Sequence, residues 1–261
     1  MSKSIVITSG KGGVGKSTTA ASIGFGLAGA GYKTVIIDLD IGLRSLDMLL
    51  GVQDQLIYDV VDVVEGITSI DQALYKVDKR ENLYLLAASQ TTDSSSVSMY
   101  DIEAVISSLK DRFDYVLIDC PAGIGRGFRN ASGAADSAII VLTPDAVSLR
   151  GAERVKHLLT LDGITDISVI INRVSSRNGV STDECVHRMD AKVLGFVPED
   201  PRVSICAAKG TPVLESESDS GDAYERIVRR LLGETVRYKI PFETLIHKFK
   251  THFGKESACK G

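Results

Sequence analysis

No apolar run in this 261-residue chain is longer than a strand, so nothing in it is read as spanning a bilayer. The cysteines, Cys120, Cys185, Cys206 and Cys259, show no C-x-x-C or other zinc spacing. They read as reduced thiols, which excludes a disulfide scaffold. Cys259 is followed by two residues, too few for a prenylation box. No leader is read ahead of the first strand, which has begun by residue 5. An excess of positive charge is also missing: the formal net charge of −4 gives no general attraction to nucleic acid. No internal repeat or long linker divides the chain. What remains is a 44% hydrophobic globular sequence, long enough for one large α/β domain with a substantial core.

Apolar runs alternate with helical patterns throughout. The runs predict strands at Lys3–Thr8, Thr34–Leu39, Leu83–Ala87, Tyr115–Asp119, Ala138–Thr143, Ile167–Asn172 and Val193–Val197. The 3.6-residue periodicity predicts helices that include Ile102–Arg112, Leu149–Leu161 and Asp222–Leu232. Such alternation predicts a mostly parallel, doubly wound sheet covered on both faces. Ligands of such sheets sit beyond the carboxyl ends of the strands. The polar stretch QTTDSSSVS, residues 90–98, reads as a surface loop.

The first strand runs into Gly10-Lys11-Gly12-Gly13-Val14-Gly15-Lys16-Ser17. This fits the phosphate-binding loop G-x-x-x-x-G-K-[ST] at every fixed position. Glycines let the backbone turn tightly enough for successive N–H groups to point at phosphate oxygens. Lys16 is placed to reach the β- and γ-phosphates, and the Ser17 hydroxyl to hold Mg²⁺. The following stretch, STTAASIGFGLAGAG, reads as a helix whose N-terminus faces the phosphates. The alternative is a glycine-rich turn without a ligand, which the flanking strand and helix disfavour. Such a loop needs one lysine, and this one has a second, Lys11.

Carboxylates recur at predicted strand ends. YVLIDCPAG ends a buried strand on Asp119, the pattern that orients Mg²⁺ through a bound water. Gly123, just beyond, lets a backbone N–H swing toward a γ-phosphate, as switch loops do. TVIIDLDIGLRSLD ends another strand on Asp38 and Asp40. Both approach the γ-phosphate if the chain bends after Leu39, and one or both would position the attacking water. The competing reading makes one of them a cap or turn residue. No N-K-x-D guanine pattern follows the sixth predicted strand; Asn172-Arg173 stands there instead. An asparagine amide matches the N6/N7 edge of adenine, so ATP is expected rather than GTP. A plain turn residue is the alternative for Asn172.

After Gly233 the chain changes character. Phe242, Leu245, Ile246, Phe249 and Phe253 fall at i, i+3, i+4, i+7 and i+11, one apolar stripe on a helix of about 241–254 opened by Pro241. His247, Lys248, Lys250 and Thr251 lie off the stripe, and Lys255 follows. A basic amphipathic helix of this kind is either an interfacial membrane anchor or a helix docked on its own domain.

KGGVGKST with its second lysine resembles the deviant phosphate-binding loop of the MinD/ParA ATPases. IDLDIGLRSLDMLLG, NLYLLAASQT, YVLIDCPAGI, VIINR, LGFVPED and AYERIVRRLLGE resemble the MinD branch in particular. The resemblance runs from Ser4 to about Phe253. It implies a P-loop ATPase domain over residues 1–235 and a tail, 236–261, that targets the membrane. It implies that the lysine matching Lys11 crosses to the other subunit of an ATP-sandwich homodimer and contacts its phosphates, as an arginine finger would. It implies a nucleotide site that also takes in Gly10, Gly12, Gly13, Val14, Gly15, Thr18, Gly123, Arg173 and Pro198, with Mg²⁺ on Ser17 and, through water, Asp119.

The resemblance further implies a cytoplasmic protein, peripheral on the inner face of a bacterial membrane, whose ATP cycle places the division site. Its partners would be a MinC-type division inhibitor and a MinE-type activator or another positioning scaffold. A ParA-type DNA-partition ATPase and a flagellar-number regulator are the alternatives; the first needs a basic DNA-binding face that the charge balance does not offer. An iron–sulfur reductase sharing the loop needs two cluster cysteines per subunit, and only Cys120 lies near a switch. Two departures stand out. Ser45 replaces a common asparagine, and Arg150-Gly151-Ala152-Glu153-Arg154 replaces a frequent R-D-A-D-R.

Overall fold

A computed structural model describes residues 2–42, 44–90 and 97–242. Among these residues eight strands form one sheet: β1 (Lys3–Thr8), β2 (Thr34–Asp38), β3 (Tyr75–Lys76), β4 (Leu83–Leu86), β5 (Tyr115–Asp119), β6 (Ser137–Leu142), β7 (Ile167–Val174) and β8 (Lys192–Pro198). Their order is β3-β4-β2-β5-β1-β6-β7-β8, and every pairing is parallel except β3 with β4. Among the described residues ten α-helices accompany the strands, the last two following β8: α1 (Lys16–Gly29), α2 (Leu46–Leu50), α3 (Val60–Val64), α4 (Ile70–Ala73), α5 (Met99–Lys110), α6 (Arg126–Ser132), α7 (Ala146–Leu161), α8 (Thr182–Met189), α9 (Arg202–Ala208) and α10 (Asp219–Leu231). The mostly parallel α/β architecture is the one expected.

Strand alternation sorts the core into two layers. Ile5, Ile7, Ile36, Leu117, Ile139 and Ile170 point to the face covered by α1 and α10. Val6, Ile37, Ile118, Ile140 and Ile171 point to the other, packed by α5, α6, α7 and α8. The register sets Asp38 of β2 beside Asp119 of β5, and Ile7 of β1 beside Asp119. The three strands nearest the phosphate loop therefore end level.

All seven predicted strands are present. The two-residue β3 was not expected, and too few residues lie in it to set a pattern. Each of the three predicted helices begins three residues before its apolar periodicity does. The cause is a polar N-cap in each case: the Ser98 hydroxyl accepts from Asp101 N–H, Asp145 from Ser148 N–H, and Ser218 from Gly221 N–H. In the polar stretch 90–98, residues 91–96 lie outside the described ones; Val97 is buried.

Past α10 the chain turns back along the β8 edge. The buried Arg230 guanidinium donates to the Leu194 carbonyl at 2.8 Å and to those of Val236 and Arg237 at 3.1 and 2.8 Å. It also stacks on the Tyr238 ring at 4.2 Å, while the Tyr238 hydroxyl donates to the Val193 carbonyl. Side-chain donors thus occupy carbonyls of an edge strand. Pro241 and Phe242 then form a turn, and Phe242 has a left-handed φ of 66°. The rest of the helix expected over about 241–254 lies outside the described residues. Leu245, Ile246, Lys248, Phe249, Lys250 and Phe253 lie outside the described residues. Among the described residues no helix is long and apolar enough to cross a membrane.

Candidate functional site

The loop between β1 and α1 wraps the carboxyl end of the sheet. Gly13 and Gly15 take φ values of 75° and 96°, open to glycine and strained for other residues. A Cβ on Gly15 would overlap the side-chain amide nitrogen of Asn172. That amide donates to the Val14 carbonyl at 2.7 Å, and its oxygen accepts from Arg173 N–H at 2.9 Å. Asn172, at the end of β7, therefore braces the phosphate loop. One amide hydrogen and one oxygen lone pair are left to meet a base.

The two lysines of the loop are placed differently. Lys16 is buried, and its ammonium lies 2.8 Å from Asp119 Oδ1. Burial opposes its charge, but the Asp119 carboxylate outweighs that and lifts the Lys16 pKa. Lys11 is 43% exposed and lies 3.3 Å from Asp145 Oδ1, at the α7 N-cap.

Asp119 is fully buried, which raises its pKa against the pull of Lys16. Its second oxygen, Oδ2, has no hydrogen-bond partner. A buried carboxylate oxygen left this way calls for a cation or an ordered water. The same Lys16 ammonium also donates to the Ser17 hydroxyl, at 3.5 Å. Among the described residues no cluster of His, Cys, Asp or Glu would hold a metal ion by itself. The donor set thus fits a hard cation that shares its oxygen ligands with a phosphate, as Mg²⁺ does.

Asp38 is also fully buried. Its Oδ1 accepts from Asp40 N–H at 2.9 Å, and its Oδ2 from Ser45 and Leu46 N–H at 3.2 and 3.3 Å. The carboxylate gathers the loop from residue 40 to 46 around itself. Burial first, and then the neighbouring Asp119 charge, push its pKa up to about 7. Asp40 is only part-buried, and its charge is felt at Lys16, Asp119 and Cys120. So the two aspartates differ: one is committed to the backbone and the other faces the phosphate lysine. Arg44 closes the loop through a bond of 2.7 Å to the buried Asp47. Gly123 has φ 94°, and its N–H donates to the Ser9 carbonyl, so it must exchange that bond to meet a phosphate.

A cavity of about 440 Å³ opens beside the loop, lined by Gly15, Thr18, Asn172, Arg173 and Pro198. These sequence-derived candidates come together from the loop, α1 and the ends of β7 and β8. The same cavity takes in Glu199, Asp200, Val203, Ser204 and Tyr224, which the sequence reading passed over. LGFVPED carried Glu199 and Asp200 in plain view. Tyr224 carried no such signal: it reaches the site because its hydroxyl meets Thr19 Oγ1 at 2.9 Å across α1 and α10.

Comparison with known proteins decides the family. A family model described as an AAA domain matches residues 2–167. The septum site-determining protein MinD of Bacillus subtilis is 42% identical, over 98% of this chain and 100% of its own. The chain belongs to the MinD family.

Among solved structures, the MinC:MinD cell division complex of Aquifex aeolicus aligns with TM-score 0.85 and 36% identity, over 91% of this chain and 99% of that one. The septum site-determining protein MinD of Pyrococcus horikoshii, complexed with Mg-ADP, aligns with TM-score 0.82 and 29% identity, over 88% and 96%. The MinD family is one of nucleotide-binding P-loop ATPases linked to septum-site determination.

Proposed function

We propose that this chain is an ATP-dependent, dimerising ATPase that cycles on and off a bacterial membrane and regulates where the septum forms. Residues 1–235 are its ATPase domain, and residues 236–261 its membrane-targeting tail. The observation that carries the reading is the separation of the two loop lysines. One is buried against Asp119, and the other stands at the surface of the same loop. A buried lysine serves its own site, whereas an exposed one is available to a second copy.

In this reading Lys16 binds the β- and γ-phosphates, together with the N–H groups from Gly10 to Ser17. Thr18, Asn172, Arg173 and Pro198 enclose the adenosine. Ser17, and Asp119 through water, hold Mg²⁺, which supplies charge neutralisation on the phosphate oxygens when bound. Asp40 positions the attacking water, and Asp38 holds the loop that carries Asp40. Lys11 of one copy adds positive charge to the phosphates of the other, where charge develops during hydrolysis. The relative crystallised with MinC and the one crystallised with Mg-ADP support a MinC-type inhibitor as partner and ATP with Mg²⁺ as ligand. A MinE-type activator or another scaffold would stimulate release. The protein then divides its time between the cytoplasm and the inner membrane face.

Sedimentation with anionic liposomes, and separately with DNA, tests this reading, each with ATP or ADP. Pelleting with liposomes in ATP alone is expected. Pelleting with DNA instead would favour a partition ATPase. Lys11→Ala should keep most of its ATP affinity, yet neither dimerise nor pellet.

A further inference from the structure

Helix α7 and its N-cap touch the phosphate loop twice, at Lys11 and at Gly10 just before it. Asp145, its N-cap, meets the Lys11 ammonium through both carboxylate oxygens, at 3.3 and 3.4 Å. That carboxylate is itself held still. The Thr143 hydroxyl donates to Oδ2 at 2.6 Å, and Ser148 N–H donates to Oδ1 at 2.9 Å. Burial pushes the Asp145 carboxyl up, but the bonds from Thr143, Ser148 and Lys11 outweigh it and keep it below the usual range. A fixed acceptor therefore waits for a flexible four-carbon side chain.

The second contact is backbone on backbone. A Cβ on Gly151 would lie 2.8 Å from the Gly10 carbonyl oxygen, and one on Gly10 would overlap the Gly151 carbonyl. Only two glycines allow the loop to lie this close to α7. Gly151 brings the segment just before Lys11 against the helix that carries Asp145. The Ser9 hydroxyl, donating to the Lys11 carbonyl at 3.0 Å, tightens the same bend.

An ammonium bonded to its own chain's Asp145 is neutralised in cis. To act on a second copy, it must leave. We propose that Asp145 and Gly151 are positioning residues that form a cis seat for Lys11, and that this seat raises the ATP concentration at which two copies pair. The inference rests on the reading of Lys11 as a lysine that acts in trans. It gives α7 a direct hold on pairing: anything that shifts the first turns of α7 away from the loop frees Lys11.

The test uses the full chain with Asp145→Ser, which keeps a hydroxyl to cap Ser148 N–H, and with Gly151→Ala as a second variant. Two readouts are needed. Pulse acetylation with an N-hydroxysuccinimide ester, without nucleotide and read by mass spectrometry, reports Lys11 in the single copy. Its labelling should rise about two- to fivefold in both variants, the range an exposed ion pair supports, with the other lysines unchanged. Light scattering against ATP reports pairing, and its midpoint should fall by a similar factor. Unchanged Lys11 labelling would show that no seat exists. Faster labelling with an unchanged or higher ATP midpoint would show that the seat does not govern pairing, and would overturn the proposal. Faster labelling in a protein whose wild type never pairs with ATP would place the failure in the trans reading itself.

Discussion

The Lys16 ammonium and the Asp119 carboxylate lie 2.8 Å apart with both side chains buried, and one carboxylate oxygen is left over. Each group neutralises the other inside the sheet, and in the proposed site the pair would serve two purposes at once, a phosphate lysine and a cation ligand.

Removing one partner should therefore cost stability as well as binding. Lys16→Ala leaves Asp119 as an uncompensated buried charge, expected to cost roughly 3–5 kcal/mol. ATP affinity should fall about 10- to 100-fold from the lost charge-assisted bonds alone. Adding Asp119→Asn should restore much of the melting temperature without restoring ATP binding. Near-normal ATP affinity of Lys16→Ala in calorimetry would remove the loop from the nucleotide site.

Asp38 predicts a pH dependence. Its folded pKa of about 7 lies above the unfolded value near 4. In that window the folded chain keeps a proton that the unfolded chain has released, so stability falls as pH rises from about 4 to about 7 and levels off above. The fall should amount to roughly 1–4 kcal/mol, seen by urea denaturation across the window. Asp38→Asn should flatten that slope and, lacking one acceptor for Ser45 and Leu46 N–H, loosen the loop. A wild-type profile that rises through this window would refute the assignment.

Asp40 is expected to act in hydrolysis more than in binding. Asp40→Ala should form the ATP-bound pair and remain in it, retained on liposomes with phosphate release near background. Ordinary turnover by this variant, with lipid and an activator present, would mean another group positions the water.

The tail should act by number. Phe249→Glu with Phe253→Glu should abolish liposome pelleting and leave ATP-dependent pairing intact. Each aromatic contributes at most about 1.5–3 kcal/mol on full burial, so one tail holds weakly. Two tails on one pair raise avidity by about 10²–10⁴. Fusing two wild-type tails to an unrelated constitutive dimer should give ATP-independent pelleting. If that fusion stays in solution while the native chain pellets with ATP, a docked tail released by ATP would replace tail number as the mechanism.

Much of the molecule was legible in the sequence, for a physical reason. Strands buried on both faces are continuous apolar runs, and the residue that ends each run, Asp38, Asp119 or Asn172, sits at the ligand edge by topology. The loop from Gly10 to Ser17 is fixed by backbone conformations that few sequences satisfy. What stayed hidden depends on direction or distance. Asp38 and Asp40 look alike in sequence, yet one accepts three backbone bonds and the other stays part-buried beside Lys16. Helix starts at Ser98, Asp145 and Ser218 escaped an apolar pattern because caps are polar. Tyr224 lies far along the chain from the loop it helps enclose. Gly151 was noticed only as a departure, because its meaning lies in the backbone of Gly10.

Asn172 carries a consequence for selectivity. One amide holds the Val14 carbonyl of the phosphate loop and also lines the cavity proposed for the base. In the proposed site the two ends of a nucleotide would therefore report to a single side chain, and their affinities would not be independent quantities. A base that pulls this amide out of line loosens the loop beneath the phosphates. A tripolyphosphate without a base, in turn, meets a loop whose brace has nothing to lean on. Discrimination between purines would then be read out as much in the grip on phosphate as in the fit of the ring.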